Sequence, residues 1–225
     1  MTATHGCISV VVVDDDVRVR SDLSTLLDLE LDIVVVGSAA DGATAVEMCG
    51  RLEPDVVVMD VRMPGMNGIE ATRVLRERHT DRCRVLVVTT FDLDDYVIGA
   101  VRMGASGFLL KDQAPEELAA GVRTVAAGNA VVAPRATARL LRELVTPTVS
   151  SPPTSVLSAR ELDVVSLMAK GLSNDEIAEA ACISRATVKS HVSSTLTKLG
   201  LSSRLQIVVW AYENGYVERD PSRRT

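Results

Sequence analysis

Asp55-Val56-Val57-Val58-Met59-Asp60 is the stretch on which the fold of this chain turns. Four apolar residues in a row, three of them β-branched, read as a short strand buried on both faces. The chain then turns at once, with Met63-Pro64-Gly65 followed by Asn67-Gly68. Asp60 therefore stands where a buried parallel strand meets its loop, the edge at which open α/β sheets bind ligands. A lone Asp in such a place commonly only caps a turn, so the case for a site rests on what the other strand ends deliver.

Working outward, Ile8–Val13 is a second all-apolar strand and ends in Asp14-Asp15-Asp16. Val17, Leu23, Leu26, Leu27 and Leu31 follow at roughly helical spacing. Ile33–Val36 is a strand again, and Asp41-Gly42 opens a helix through Ala45, Val46 and Met48. After the Asp60 strand comes a helix over about Asn67–Glu77, then a strand at Val85–Thr89 and a helix at Asp94–Met103. Gly107–Leu110 is the fifth strand and ends at Lys111; Pro115-Glu116-Glu117 starts the fifth helix, with Pro in the first turn. Alternating strands and helices predict a five-stranded parallel, doubly wound (flavodoxin-like) α/β sheet covered on both faces. The expected domain spans residues 6–128. Residues 129–155 read as one more helix, Pro134–Leu144, and a Pro/Ser-rich linker over 146–155. Residues 156–219 read as a second, smaller, all-α domain.

At 225 residues, 47% apolar and 3% aromatic, the chain can build two aliphatic cores. No apolar run approaches the roughly 18 residues of a membrane span, and the N-terminus lacks the pattern of a signal peptide. Cys7, Cys49, Cys83 and Cys182 are scattered, which supports neither a zinc site nor a disulfide frame and fits a reducing cytoplasm. The net charge of −6 argues against a wholesale nucleic-acid binder. Residues 150–225, however, hold nine Lys/Arg against eight Asp/Glu, which leaves fifteen against twenty-two for residues 1–149. No acid occurs between Glu179 and Glu213, where Arg185, Lys189, Lys198 and Arg204 lie. An acidic front and a locally basic back are surfaces for different partners.

In a parallel sheet the strands end at one edge, so Asp14, Asp15, Asp60, Thr89 and Lys111 share a rim. Crowded carboxylates raise one another's pKa unless a cation sits among them, and Mg²⁺ suits a few carboxylates, waters and phosphate oxygens. A carboxylate can act as nucleophile and become an acyl phosphate. Lys111 supplies a compact positive charge for a phosphoryl group and Thr89 a hydroxyl for one of its oxygens. The chemistry that follows is phosphoryl transfer to Asp60. Thr90 competes with Thr89 for its role, and Asp16 reads as a helix cap or a solvated charge.

Val-Val-Val-Asp-Asp, Met-Asp-x-x-Met-Pro, Val-Thr-Thr and Gly-Ala-Ser-Gly-Phe-Leu-Leu-Lys resemble the receiver domain of two-component response regulators. The resemblance implies that Asp60 is the phosphoacceptor, phosphorylated by a sensor histidine kinase, and that Asp14, Asp15 and the backbone carbonyl of Arg62 hold Mg²⁺ with it. It also implies that Thr89 and Phe108 are a switch pair. The chain departs from the pattern at Asp112, where many receivers have Pro after the lysine.

In the back segment Leu157-Ser158-Ala159-Arg160-Glu161 starts a helix, and Ser173-Asn174-Asp175-Glu176 is a capping box opening a short one. Ser184 caps a third, with an apolar stripe at Val188, Val192, Leu196 and Leu199. Helix, tight turn and helix make a helix-turn-helix, whose second helix enters the major groove. Arg185, Lys189, Ser190, His191, Ser193 and Ser194 avoid the stripe, and basic and hydroxyl groups without acids suit phosphates and base edges. Leu-Ser-x-Arg-Glu, Gly-Leu-Ser-Asn-Asp-Glu-Ile-Ala and Ile-Ser-x-x-Thr-Val-Lys-Ser-His-Val resemble the LuxR-type DNA-binding domain. The whole chain is thereby similar to the NarL/FixJ group of response regulators. That similarity implies Lys189, Ser190 and Ser193 toward bases and Arg185, Thr187 and Lys198 nearer phosphates of double-stranded DNA. It also implies that the last helix, Ser203–Asn214, dimerises on DNA, its apolar side chains suiting that or core packing, so a homodimer is expected when phosphorylated or DNA-bound. Movement of Thr89 and Phe108 alters the surface formed by the fourth helix, Asp94–Met103, the fifth strand and the fifth helix, which either clamps the C-terminal module or pairs two receivers.

The expected function is thus a cytoplasmic, phosphorylation-controlled transcription factor, not an enzyme, with no membrane partner. An aspartyl-phosphate phosphohydrolase of the haloacid-dehalogenase kind would want a second Asp at position 62, which is Arg. A phosphorylation-independent binder with a degenerate receiver conflicts with the intact Asp/Thr/Lys set.

Overall fold

The computed structural model describes residues 6–78, 83–89, 99–111, 114–132 and 156–216. The chain divides into two compact units, Met1–Thr137 and Ala138–Thr225. The first alternates β1 (Ile8–Val13), α1 (Val17–Asp28), β2 (Ile33–Ala39), α2 (Gly42–Leu52), β3 (Val56–Met59), α3 (Gly68–Arg78), β4 (Arg84–Thr89), β5 (Gly107–Leu110), α4 (Pro115–Ala126) and β6 (Val131–Val132). Between β4 and β5 only a helical turn at 99–102 is described. Residues 94–98 of the helix expected over Asp94–Met103 lie outside the described residues, as do Thr90, Asp112, the helix expected at Pro134–Leu144 and the linker, and Met103 is in the turn that follows.

The sheet order is β2-β1-β3-β4-β5-β6 and every described pairing is parallel. Its first five strands have the expected doubly wound order. Val10–Val13, Val56–Met59 and Val85–Val88 are at most 2% exposed, because helices cover both faces of these central strands, whereas the edge strand β2 leaves Val34 and Val36 exposed. On one face Val10, Val12, Val56, Val58, Leu86, Val88 and Leu109 pack with Leu27 of α1 and with Leu118, Val122 and Val125 of α4. Ala45, Val46 and Cys49 of α2 and Ala71 and Leu75 of α3 are buried as well.

Two details differ from expectation. Strand β2 runs three residues past Val36, to Ala39. A bulge at Val36 shifts the register, pairing Val10 with Val35 but Val11 with Gly37, and lets the strand continue past a glycine that would otherwise read as its end. Beyond the expected five strands, Val131-Val132 adds a sixth to the outer edge of β5. Gly128, at φ +83, turns the chain out of α4, and two β-branched residues then cover backbone groups that an edge strand leaves open.

The second unit has four described helices, α5 (Ala159–Ala169), α6 (Asn174–Ala180), α7 (Arg185–Leu199) and α8 (Arg204–Glu213). Serines cap all four: Ser158, Ser173, Ser184 and Ser203, three of them in full capping boxes. Val164, Val165, Met168, Ile177, Val188, Ile207 and Ala211 form the core. Among the described residues no helix is long and apolar enough to cross a membrane.

Candidate acidic site and candidate nucleic-acid interface

The sheet ladder continues one residue beyond each strand, and this places the acidic site. Asp14 N donates to Ala39 O at 3.1 Å, Asp60 N to Val13 O at 2.8 Å and Lys111 N to Thr89 O at 2.8 Å. Each chemical side chain therefore leaves a peptide already fixed by a neighbouring strand. Asp14 is 1% exposed, Asp60 6% and Thr89 1%, whereas Asp15 is exposed. The three carboxylates each offer an oxygen, all within 4.8 Å of one another.

Lys111 Nζ lies 2.5 Å from Asp14 Oδ2 and 3.1 Å from Asp60 Oδ2. The contact with Asp14 Oδ2 is both a charge pair and a hydrogen bond. Burial pushes the Asp60 carboxyl above its ordinary range; the Lys111 charge opposes this and the Asp14 charge adds to it. For Lys111 burial works downward, but the hydrogen bond to Asp14 and the charges of Asp60 and Asp14 prevail and raise it. One ammonium thus sits against two buried carboxylates. Among the described residues Thr89 Oγ1 is buried without a hydrogen-bond partner, an arrangement that costs free energy unless an acceptor arrives.

The support around the rim is specific. Arg20 Nη1 donates to the Asp14 carbonyl at 2.5 Å, and Asp16 N to Asp14 Oδ1 at 3.0 Å. Asp16 is the N-cap of α1, one of its two sequence readings. Gly68 opens α3, within the helix expected from about Asn67: its N–H donates to Val61 O at 3.0 Å, and a Cβ there would overlap the carbonyl oxygen of Asp60. Arg62 is exposed. Phe108 is 1% exposed and pairs with Val87 across β5 and β4. The site brings together oxygen donors for a hard cation, a nucleophilic carboxylate, a fixed ammonium and an open hydroxyl.

In the second unit α6 and α7 are joined by residues 181–184, where Cys182 takes the left-handed conformation at φ +52. This is the tight turn of a helix-turn-helix. On α7, Lys189, Ser190, Ser193 and Thr197 are exposed, while Val188 and Thr195 are buried. Thr187 is drawn into the cap, its N–H donating to Ser184 Oγ at 3.0 Å and its hydroxyl 2.8 Å from the same oxygen. Arg185 Nε lies 3.3 Å from Asp175 Oδ1, with both side chains about half exposed or more. Lys198, itself exposed, donates to Glu161 Oε2 at 2.8 Å, and Ser194 donates to Glu161 Oε1 at 2.6 Å.

Sequence reading missed Glu161, which is 3% exposed and joins α5 to α7. Its signal was present, since Ser158-x-x-Glu161 has the spacing of a capping box. Arg204 was read only as a basic residue. It is buried, donating to Asn174 Oδ1 at 2.7 Å and to Leu172 O at 2.6 Å, and burial lowers its pKa to about 10.

A doubly wound parallel sheet with an acidic rim, followed by a separate helix-turn-helix unit, defines the class of signal-receiving regulators with their own DNA-binding domain. Residues 10–123 match the family described as response regulator receiver domain, and residues 155–211 that of bacterial regulatory proteins, luxR family. The chain is 38% identical to the transcriptional regulatory protein DegU of Brevibacillus brevis, over 94% of this chain and 95% of that protein. It is 34% identical to the nitrate/nitrite response regulator NarL of Escherichia coli K12, over 91% and 95%. The crystal structure of the response regulator ChrA of a heme-sensing two-component system is 35% identical, covers 94% of this chain and 99% of its own, and gives a TM-score of 0.53. The chain belongs to the two-component response regulators of the NarL group: it is a transcription regulator with a LuxR-type DNA-binding domain. These relatives are regulators of transcription, not enzymes.

Proposed function

We propose that Asp60 is the phosphoacceptor and that its phosphorylation by a sensor histidine kinase controls DNA binding by the second unit. The observation that carries this reading is the pairing of Lys111 Nζ with both Asp14 and Asp60 beside a buried, unpartnered Thr89 hydroxyl. An oxygen of Asp60 attacks the phosphorus of a phosphohistidine; the P–N bond breaks, the imidazole leaves with the electron pair, and an acyl phosphate forms. Lys111 meets the negative charge that the phosphoryl oxygens carry, and the Thr89 hydroxyl donates to one of them. That hydrogen bond relieves a buried orphan, so Thr89 is the side chain with most to gain by moving.

Asp14, Asp15 and Asp60 fit Mg²⁺ by donor type and mutual spacing, and the Arg62 carbonyl would complete the protein's share. The ion supplies neutralising charge when bound. Phe108 is assigned to the switch with Thr89, its ring buried in this structure. The receiver is assigned to residues 6–128, the intervening helix and linker to 129–155 and the DNA-binding domain to 156–219. Lys189, Ser190 and Ser193 face bases, and Arg185 and Thr187 lie nearer phosphates. The protein works in the cytoplasm, on double-stranded DNA, as a homodimer once phosphorylated or DNA-bound.

The test is labelling by acetyl phosphate in the presence of Mg²⁺. Wild type takes one phosphoryl group, Asp60→Asn takes none, and chelation abolishes the reaction. An equally labelled Asp60→Asn protein would move the phosphoacceptor elsewhere.

A further inference from the structure

Glutamate is rarely buried unless it is paired, yet Glu161 is 3% exposed and no part of its carboxylate is idle. Oε2 accepts from Ser158 N at 2.7 Å, from Ser158 Oγ at 2.8 Å and from Lys198 Nζ at 2.8 Å. Oε1 accepts from Ser194 Oγ at 2.6 Å. Two of these donors belong to the start of α5 and two to the recognition helix α7. Ser194 and Lys198 are four residues apart and so lie on one flank of α7. That flank lies between the apolar stripe, Val188, Val192, Leu196 and Leu199, and the exposed row of Lys189, Ser190, Ser193 and Thr197.

We infer that Glu161 is a positioning residue for DNA recognition. By holding Ser194 and Lys198 it sets the rotation of α7 about its own axis, and Lys198 serves as a strut to Glu161 rather than as a phosphate contact. The inference rests on the DNA-binding reading of α7 and narrows it. The apolar stripe alone is a loose guide to rotation, since non-directional contacts of Val188, Val192, Leu196 and Leu199 tolerate a turn of the helix by some degrees. A carboxylate that takes two donors from α5 and two from α7 tolerates it less, since turning the helix lengthens and bends the bonds from Ser194 and Lys198 together. A lysine that left Glu161 for a phosphate would abandon a nearly buried carboxylate, whereas Arg185 can leave Asp175 at little cost because that pair is exposed on both sides. The two basic residues assigned toward phosphates therefore have different duties.

The full-length protein is titrated with a duplex that wild type has selected from a random pool, at several salt concentrations. Lys198→Met and Glu161→Gln each lower affinity several-fold and leave the slope of log affinity against log salt unchanged. Their double variant is no weaker than either single one, and Lys198→Arg restores binding. Arg185→Gln flattens the slope by roughly 0.9, the loss of one phosphate contact. A Lys198→Met slope flattened by the same amount, with Glu161→Gln binding like wild type, would overturn the inference. Melting of the same four proteins of the Glu161/Lys198 cycle, without DNA, decides the coupling separately: non-additive shifts are expected, and additive shifts would overturn the anchoring. Failure of wild type to bind any duplex in a salt-dependent manner would instead strike the DNA-binding reading, with the melting cycle still deciding the Glu161–Lys198 link.

Discussion

Gly68→Ala tests how the peptide of Asp60 is held. A Cβ at position 68 would overlap the Asp60 carbonyl oxygen, lie 2.9 Å from the Asp60 carbonyl carbon and 3.1 Å from Met59 Cγ. Two of these neighbours are backbone and none can swing away, so the start of α3 and the Asp60 loop must separate. The required shift is on the order of 1 Å, a displacement that at a reacting group costs on the order of 10²-fold in rate. Overpacking of this kind destabilises by about 1–3 kcal/mol, or roughly 4–12 °C in Tm for a domain of this size. Gly65→Ala is the control. Gly65 has φ +72 and nothing within 4 Å of its would-be Cβ, so alanine there incurs backbone strain of about 1–2 kcal/mol without displacing Asp60. Initial rates of acetyl phosphate labelling and thermal melting are measured for both. Gly68→Ala is expected to label about a hundred-fold more slowly than Gly65→Ala; equal rates would refute the argument that the close approach of α3 positions the phosphoacceptor.

Lys189→Ala is expected to lose roughly 1–3 kcal/mol on the best DNA site and little on random DNA; a uniform loss on both, read by titration, would make Lys189 a phosphate contact. Glu161 has its pKa lowered to about 2, first by the hydrogen bond from Lys198 and then by that from Ser194. Its folded value lies below its ordinary 4.5, so the stabilisation is complete above that value and is lost as the pH falls toward about 2. The Tm difference between wild type and Glu161→Gln should shrink over that interval, and a difference independent of pH would contradict the paired carboxylate. For dimerisation, sedimentation at fixed concentration should show phosphorylated protein heavier than Asp60→Asn; a swing from 1:99 to 99:1 requires about 5.5 kcal/mol of preference for the active state. Identical mass and identical DNA affinity would leave phosphorylation of Asp60 without a regulatory output.

The parallel sheet and its acidic rim were legible because both rest on local pattern. Val56-Val57-Val58-Met59 is apolar at every position only if helices cover both faces, and all of it is buried. Parallel strands share an edge, so Asp14, Asp60 and Lys111 converge wherever the turns that follow them lead. The helix starts at Ser173 and Ser184 were legible for the same reason, since a capping serine bonds a backbone N–H only three residues on.

What local pattern cannot express is a partner far away in the chain. Glu161 and Lys198, 37 residues apart, become a pair only when α5 and α7 pack; along the chain Glu161 has only the spacing of a cap and Lys198 reads as a group for phosphates. Arg204 is drawn into the interior by acceptors 30 and 32 residues before it. The extension of β2 depends on a bulge at Val36, and a bulge is a relation between two strands. The need for glycine at position 68 depends on the carbonyl of Asp60, eight residues earlier, folding back beneath α3. Hydrophobic period and turn chemistry are short-range and are written in the order of the residues. Burial, charge pairing and close backbone approach arise where distant segments exclude water together, and only the tertiary structure decides where that happens.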